Sequence, residues 1–149
     1  MPRWLLLSSF IVFASLQVIA QRQLKDSLIQ LLEDGVTGTA KVDALNGLAY
    51  QFYDYDDSIA SIYAAQALSE ATAINYPKGR KYAYTLVGLG YASSGEYRKA
   101  VSYYLRSEAV DAPESESVGI YNINLLANSY RDRGKYDSAE FFYLKAIST

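Results

Sequence analysis

The chain contains no cysteine and no histidine. Those two absences exclude a disulfide framework, thiolate chemistry, Cys/His zinc sites and a Ser-His-Asp triad. The lack of cysteine also fits an oxidising compartment, where stray thiols are a liability. Beyond Gln21, proline occurs only at Pro77 and Pro113, both where the apolar pattern pauses. Strand-type alternation is not sustained anywhere, which leaves little room for a sheet. The formal net charge is only −2, so there is no basic field to draw nucleic acid. Tyrosine, by contrast, is plentiful, with 15 in 149 residues against one Trp and five Phe. Its ring is a large apolar body and its hydroxyl stays wet or hydrogen-bonded, which suits thin layers whose core lies close to solvent.

Residues 1–20, MPRWLLLSSFIVFASLQVIA, carry Arg3 ahead of an uncharged segment from Trp4 to Ile19, with Val18 and Ala20 at −3 and −1 of a cut before Gln21. This is the pattern of a secretory signal peptide. It predicts export to the periplasm or cell envelope. The alternative is that the segment remains as an anchor helix, since its length is near the lower limit for spanning a bilayer. No cysteine follows, so a lipid anchor is excluded.

In the remainder, apolar residues recur at steps of three and four, as in Leu45, Leu48, Ala49, Phe52 and then Ala60, Tyr63, Ala64, Ala67. The spacing predicts helices over 23–33, 39–54, 57–74, 79–94, 97–110, 116–133 and 136–147. Self-comparison adds an internal repeat. Tyr91, Gly95, Tyr97, Ala100, Tyr104 and Leu105 reappear 39 residues later as Tyr130, Gly134, Tyr136, Ala139, Tyr143 and Leu144. Ala60 lies 40 residues before Ala100, and Ala67 matches Ser107 and Ala146, which gives a first, more divergent unit. Gly95 stands between two helices, where a positive φ is cheap for glycine. Ala100 falls where the two helices approach closely, and Tyr91, Tyr97 and Tyr104 are sized to fill the gaps. A single hairpin of this kind cannot bury its apolar face, so the units must stack.

The residues Tyr84-x2-Val87-Gly88-x2-Tyr91-x3-Gly95-Glu96-Tyr97-x2-Ala100-x3-Tyr104-x2-Ser107 resemble a tetratricopeptide repeat, and the copy from Ile123 to Ala146 resembles it more closely. The unit with Leu45, Leu48, Ala49, Phe52, Ala60, Ala64 and Ala67 is the weakest, with a short Tyr55-Asp56-Asp57 turn. The period exceeds the family's usual length of about 34 residues, the excess falling around Asn75–Lys78 and Asp111–Glu116. The resemblance implies an all-α, right-handed solenoid of antiparallel helix pairs. Its parts would be a capping helix in 21–38 and repeats in 39–74, 79–112 and 116–149, after the signal peptide in 1–20. The export signal, the Asp26-Ser27-Leu28 helix and the long repeats also resemble the exported N-terminal regions of Bacteroidetes-type signalling proteins, histidine kinases or regulators. Two settings follow from the resemblance: an interaction scaffold in the envelope, or the sensory input part of a two-component protein.

In that family the first helix of each pair lines a groove. Carried onto this chain, the groove positions are Asn46, Tyr50 and Tyr53, then Tyr82, Thr85 and Leu89, then Tyr121, Asn124, Asn128 and Arg131. The expected partner is a protein or peptide. Tyr supplies rigid contact area and Asn amides suit a peptide backbone. No cofactor, metal, nucleic acid or enzymatic activity is expected. Self-association through an uncapped last repeat is a further expectation.

The remaining clusters have simpler readings. Asp54, Asp56 and Asp57 lack the Gly and Glu of an EF-hand loop, Ile59 and Ala65 standing there instead, so they form a solvated turn with Asp57 or Ser58 capping a helix. Lys78-Gly79-Arg80-Lys81 lacks phosphate-loop spacing. Asp111, Glu114 and Glu116 flank Pro113 as a linker, with no further group to make them an acid–base pair.

Overall fold

A computed structural model describes residues 20–112 and 116–148, and the signal-peptide segment, apart from Ala20, lies outside the described residues, as do Pro113 and Glu114. Among the described residues there are seven helices and no strand: α1 (20–33), α2 (Gly38–Phe52), α3 (Asp57–Ala73), α4 (Pro77–Ser93), α5 (Tyr97–Glu108), α6 (Glu116–Asp132) and α7 (Tyr136–Ser148). No helix among them is long and apolar enough to cross a membrane. The helices match those expected from the spacing to within about three residues, the usual scatter at frayed ends.

Each helix packs on the next along the chain, giving the hairpins α2–α3, α4–α5 and α6–α7, and the first helices also touch one another, α2 with α4 and α4 with α6. The second helices α3, α5 and α7 have no comparable mutual contact among the described residues. The array therefore curves with α2, α4 and α6 on its inner side. α1 covers α2 from the other end. Leu32 packs on the Leu45, Ala67 and Ala83 cluster, and Leu28 lies against Gly47.

The local chemistry explains the turns. Gly95 and Gly134 have φ of +75° and +69°, a left-handed backbone that only glycine adopts without strain. In each case the next amide closes the preceding helix: Glu96 N–H donates to Tyr91 O at 2.8 Å and Lys135 N–H to Tyr130 O at 2.9 Å. The first hairpin turns without glycine. Tyr55 and Asp56 N–H groups both donate to Phe52 O, and the Asp56 carboxylate accepts from Ile59 N–H at 3.0 Å. The cap of α3 is thus Asp56 rather than Asp57 or Ser58. The reason is that α3 begins at Asp57 and leaves Asp56 as the extended residue beside its free amides. The basic cluster Lys78, Arg80 and Lys81 lies in the opening turns of α4, which starts at Pro77, a residue suited to a first helical position.

Within each hairpin the helices close over small residues. Ala60, Ala64, Ala67 and Ala71 make a buried row on α3, and Ala100 and Ala139 are buried at the matching place on α5 and α7. Beside that row every hairpin holds one stacked aromatic pair. The centroids are 5.7 Å apart for Phe52 and Tyr63, 5.3 Å for Tyr91 and Tyr103, and 5.4 Å for Tyr130 and Phe142. A cation covers the first ring of each pair: Lys25 over Phe52, Lys99 over Tyr91 and Arg133 over Tyr130. Such a pair contributes about 1 kcal/mol beyond its buried area. Tyr104 is fully buried, its ring pressed on Gly88, where an added Cβ would sit 2.4 Å from the ring. Tyr91 and Tyr97 are only partly buried.

Candidate ligand-binding groove

The inner side is built by α2, α4 and α6, and the expected groove residues divide there into three sets. Asn46, Thr85 and Leu89 are interior. Asn46 donates from Nδ2 to Gly79 O at 3.0 Å, binding α2 to α4. Thr85 lies in a polar layer between the second and third hairpins, 3.0 Å from Ser107 Oγ and donating to Asn122 Oδ1 at 3.1 Å. Leu89 belongs to the central apolar cluster. These three back the inner face and do not form its surface. Asn46 is covered by α4, and Thr85 and Leu89 by α5 and the hairpin that follows.

The second set forms the surface. Tyr50 and Tyr121 expose about half of themselves, at 53% and 44%, while Tyr53 and Tyr82 are half-buried beside them. Tyr53 donates from its hydroxyl to Leu89 O at 3.1 Å, which fixes its ring along α4. The four phenols come from the end of α2, the start of α4 and the start of α6, and each of three senses the next. Burial pushes the Tyr82 hydroxyl up to about 12, with Tyr50 and Tyr121 adding to the rise. Tyr121 is raised by burial, then by Tyr50 and Asp54. Tyr53 is raised by burial, then by Asp57 and Tyr121, with a hydrogen bond from Ser93 acting the other way. The hydroxyls of Tyr53, Tyr82 and Tyr121 are therefore neutral in the physiological range, able both to donate and to accept.

The third set lies toward the far end of α6. Tyr143 donates to Asn128 Oδ1 at 2.6 Å, and Arg131 reaches Tyr143 Oη at 3.4 Å while also pairing with Asp132 at 3.0 Å. Asn124 is half-buried nearby. The repeat explains this region. Asn124, Asn128, Glu140 and Tyr143 stand 39 residues after Thr85, Leu89, Val101 and Tyr104. Those four are all buried in the second hairpin. Where the second hairpin presents Leu89, Val101 and Glu108 to its neighbour, the third carries Asn128, Glu140 and the strongly exposed Ile147.

Sequence reasoning missed the buried layer behind the groove. Asn122 is fully buried and donates from Nδ2 to Tyr104 O at 3.2 Å and to Glu108 Oε1 at 3.1 Å. Ser107 donates to Lys81 O at 2.8 Å. The repeat equivalents of Asn122, Ala83 and Ala44, are buried alanines, so the repeat marks the position as interior but not the hydrogen bonds of its amide.

The comparisons agree with this architecture. Residues 83–116 match the model of the tetratricopeptide repeat, a stretch that runs from α4 through α5 to the first residue of α6. Among solved structures, the crystal structure of the TPR domain of Arabidopsis FLU superposes with a TM-score of 0.66, at 23% identity, over 74% of this chain and 94% of that one. No curated protein matches the sequence. At its centre, then, the chain is similar to a tetratricopeptide repeat, and its helices take up the fold of a tetratricopeptide-repeat domain.

Proposed function

We propose that this protein is a non-enzymatic scaffold that binds an extended segment of another protein along the inner side of α2, α4 and α6. One observation carries the reading: Tyr50, Tyr53, Tyr82 and Tyr121 converge from three hairpins on one partly exposed face. Tyrosine gives large contact area for little rotamer entropy, and rings held from separate helices are already in place before a ligand arrives. The hydroxyls and the amides of Asn124 and Asn128 suit the unpaired N–H and C=O groups of an extended chain. Both settings expected from the sequence, envelope scaffold and sensory input, use the same surface.

The test is a double variant, Tyr50→Ala with Tyr121→Ala. Both side chains are about half exposed, so helicity and melting should change little. Capture of partner proteins by chemical cross-linking in the native host should fall to background. Undiminished capture by a folded double variant would remove the groove from consideration. Export follows from Arg3 and the uncharged segment after it, and fractionation of the host for processed chain beginning at Gln21 tests it separately.

A further inference from the structure

Between the first and second hairpins lies a recess that the groove reading does not use. It measures about 230 Å³, is open to solvent, and is walled by α3 and α4. Its floor is the half-buried Val87, Gly90 and Tyr91, and its rim on α3 is the exposed Ser61 and Ala65. Gly90 leaves bare backbone in that floor, since a Cβ there would sit 2.7 Å from Ser61 Oγ. The Tyr91 ring is already fixed by stacking on Tyr103, with centroids 5.3 Å apart. The repeat shows why the recess is at this place. One unit later, Ser61, Ala65, Val87 and Gly90 become Val101, Leu105, Leu126 and Ser129. Each replacement is larger, which takes up the corresponding space between α5 and α6.

The polar atoms at the far rim accept hydrogen bonds. Ser94 donates its own proton to Gly90 O at 3.0 Å, which leaves its lone pairs for a ligand. Glu96 is a carboxylate, and Lys99 pairs with it at 2.5 Å, which offsets its charge. An anion would meet Glu96 with like charge. A cation would have to displace Lys99, which also lies over the Tyr91 ring at 5.0 Å. A neutral O–H or N–H on an apolar body meets neither obstacle. Size sets that body. A cavity of roughly 150 Å³ holds benzene, so a recess of about 230 Å³ takes one six-membered ring with a small substituent. We propose that this recess binds a small neutral molecule with a single apolar ring and one hydrogen-bond donor, of the phenol class. None of the inner-face tyrosines takes part, so the inference stands apart from the groove reading.

Titration of the full chain with phenol, toluene and benzylamine, followed by NMR, tests it. Phenol should shift the Gly90 amide and the Val87 methyls together, with a dissociation constant of about 1 mM, the scale for so small a ligand. Toluene lacks the donor and should bind about fivefold more weakly, the effect of one net hydrogen bond. Benzylamine should do no better than toluene. Ala65→Leu gives α3 the side chain that α5 has at Leu105, and should abolish the phenol shifts. Ala65 is exposed and Leu is a good helix former, so melting should not change. Ser61→Val, which copies Val101, narrows the recess from the same side and should weaken phenol as well. Phenol shifts centred elsewhere, such as on Tyr50 and Tyr121, overturn the site. Toluene or benzylamine binding as tightly as phenol overturns the ligand class. A folded variant of either kind that binds phenol like the wild-type chain also overturns the site.

Discussion

The two seams that join the three hairpins are both apolar in part, the second through Leu126 on the Leu89 and Tyr104 cluster. They differ in polar content: among the described residues the first has the single buried bond of Asn46 to Gly79 O, the second a connected layer. Between the first and second, Leu45, Ala67 and Ala83 meet with Leu32, Tyr63 and Leu68 around them. Between the second and third, Thr85, Ser107 and Asn122 form a buried hydrogen-bonded layer closed by Tyr104 O, Lys81 O and Glu108. The first hairpin also turns on an aspartate cap, the other two on left-handed glycines. An apolar seam supplies strength in proportion to area and tolerates sliding. A polar layer is close to neutral when complete and costly when broken. The molecule thus uses one seam to hold and the other to fix register. Register at the second seam is what sets Tyr121 opposite Tyr50 and Tyr82.

The largest effect should come from the apolar seam. Leu45 is 3% exposed, and Leu45→Ala should cost about 3 kcal/mol by lost transfer energy plus a cavity. Urea unfolding followed by circular dichroism reads this as a lower midpoint at unchanged slope. A loss under about 1 kcal/mol would mean that the seam collapses onto the gap and carries less than its burial implies.

Next comes the polar layer. Asn122→Ala should cost about 2 kcal/mol, because Tyr104 O and Glu108 Oε1 lose their buried donor and Thr85 loses one of its partners. The triple change Thr85→Val, Ser107→Ala and Asn122→Leu should recover most of that loss while loosening the geometry of the third hairpin. Peptide binding at the tyrosine face would then fall even as the urea midpoint rises. A triple variant as unstable as Asn122→Ala would show that the layer contributes strength, and the contrast between the seams would fail.

Much of this was legible in the sequence because it is local or repeated. The helices follow from three- and four-residue spacing, and Gly95 and Gly134 announce their turns by recurring at one offset. Three kinds of feature were not legible. The stacked partners Tyr63, Tyr103 and Phe142 recur at the offsets of Ala60, Ala100 and Ala139, but their stacking on Phe52, Tyr91 and Tyr130 is a contact between helices that spacing along the chain does not contain. Asn122 takes the place of the buried Ala83 and Ala44, so its burial was legible in the repeat, but its bonds to Tyr104 O and Glu108 were not. The exposure of the inner-side residues was half legible. Tyr50, Tyr53, Tyr82 and Tyr121 lie on the inner face, whereas Asn46, Thr85 and Leu89 are covered by neighbouring helices, whose positions a helical wheel does not contain. The approach of α4 to α2, close enough for Asn46 to reach Gly79 O, is a tertiary quantity.

The smallest effects separate the two kinds of turn. Gly95→Ala should cost about 1 kcal/mol, since a Cβ at φ of +75° is strained although nothing lies within 4 Å of it. Asp56→Ala should cost about 1 kcal/mol as well, by freeing the Ile59 amide. Equal losses would have unequal remedies. Gly95→Asn should lose only part of the Gly95→Ala amount, because Asn tolerates the left-handed region. Asp56→Ser should keep nearly all of the cap, because a hydroxyl accepts the same amide bond. Thermal melts of the four variants check both. If Asp56→Ser melted as low as Asp56→Ala, the first hairpin would depend on the negative charge near the start of α3 rather than on the bond. That result would place the difference between the hairpins in electrostatics instead of backbone geometry.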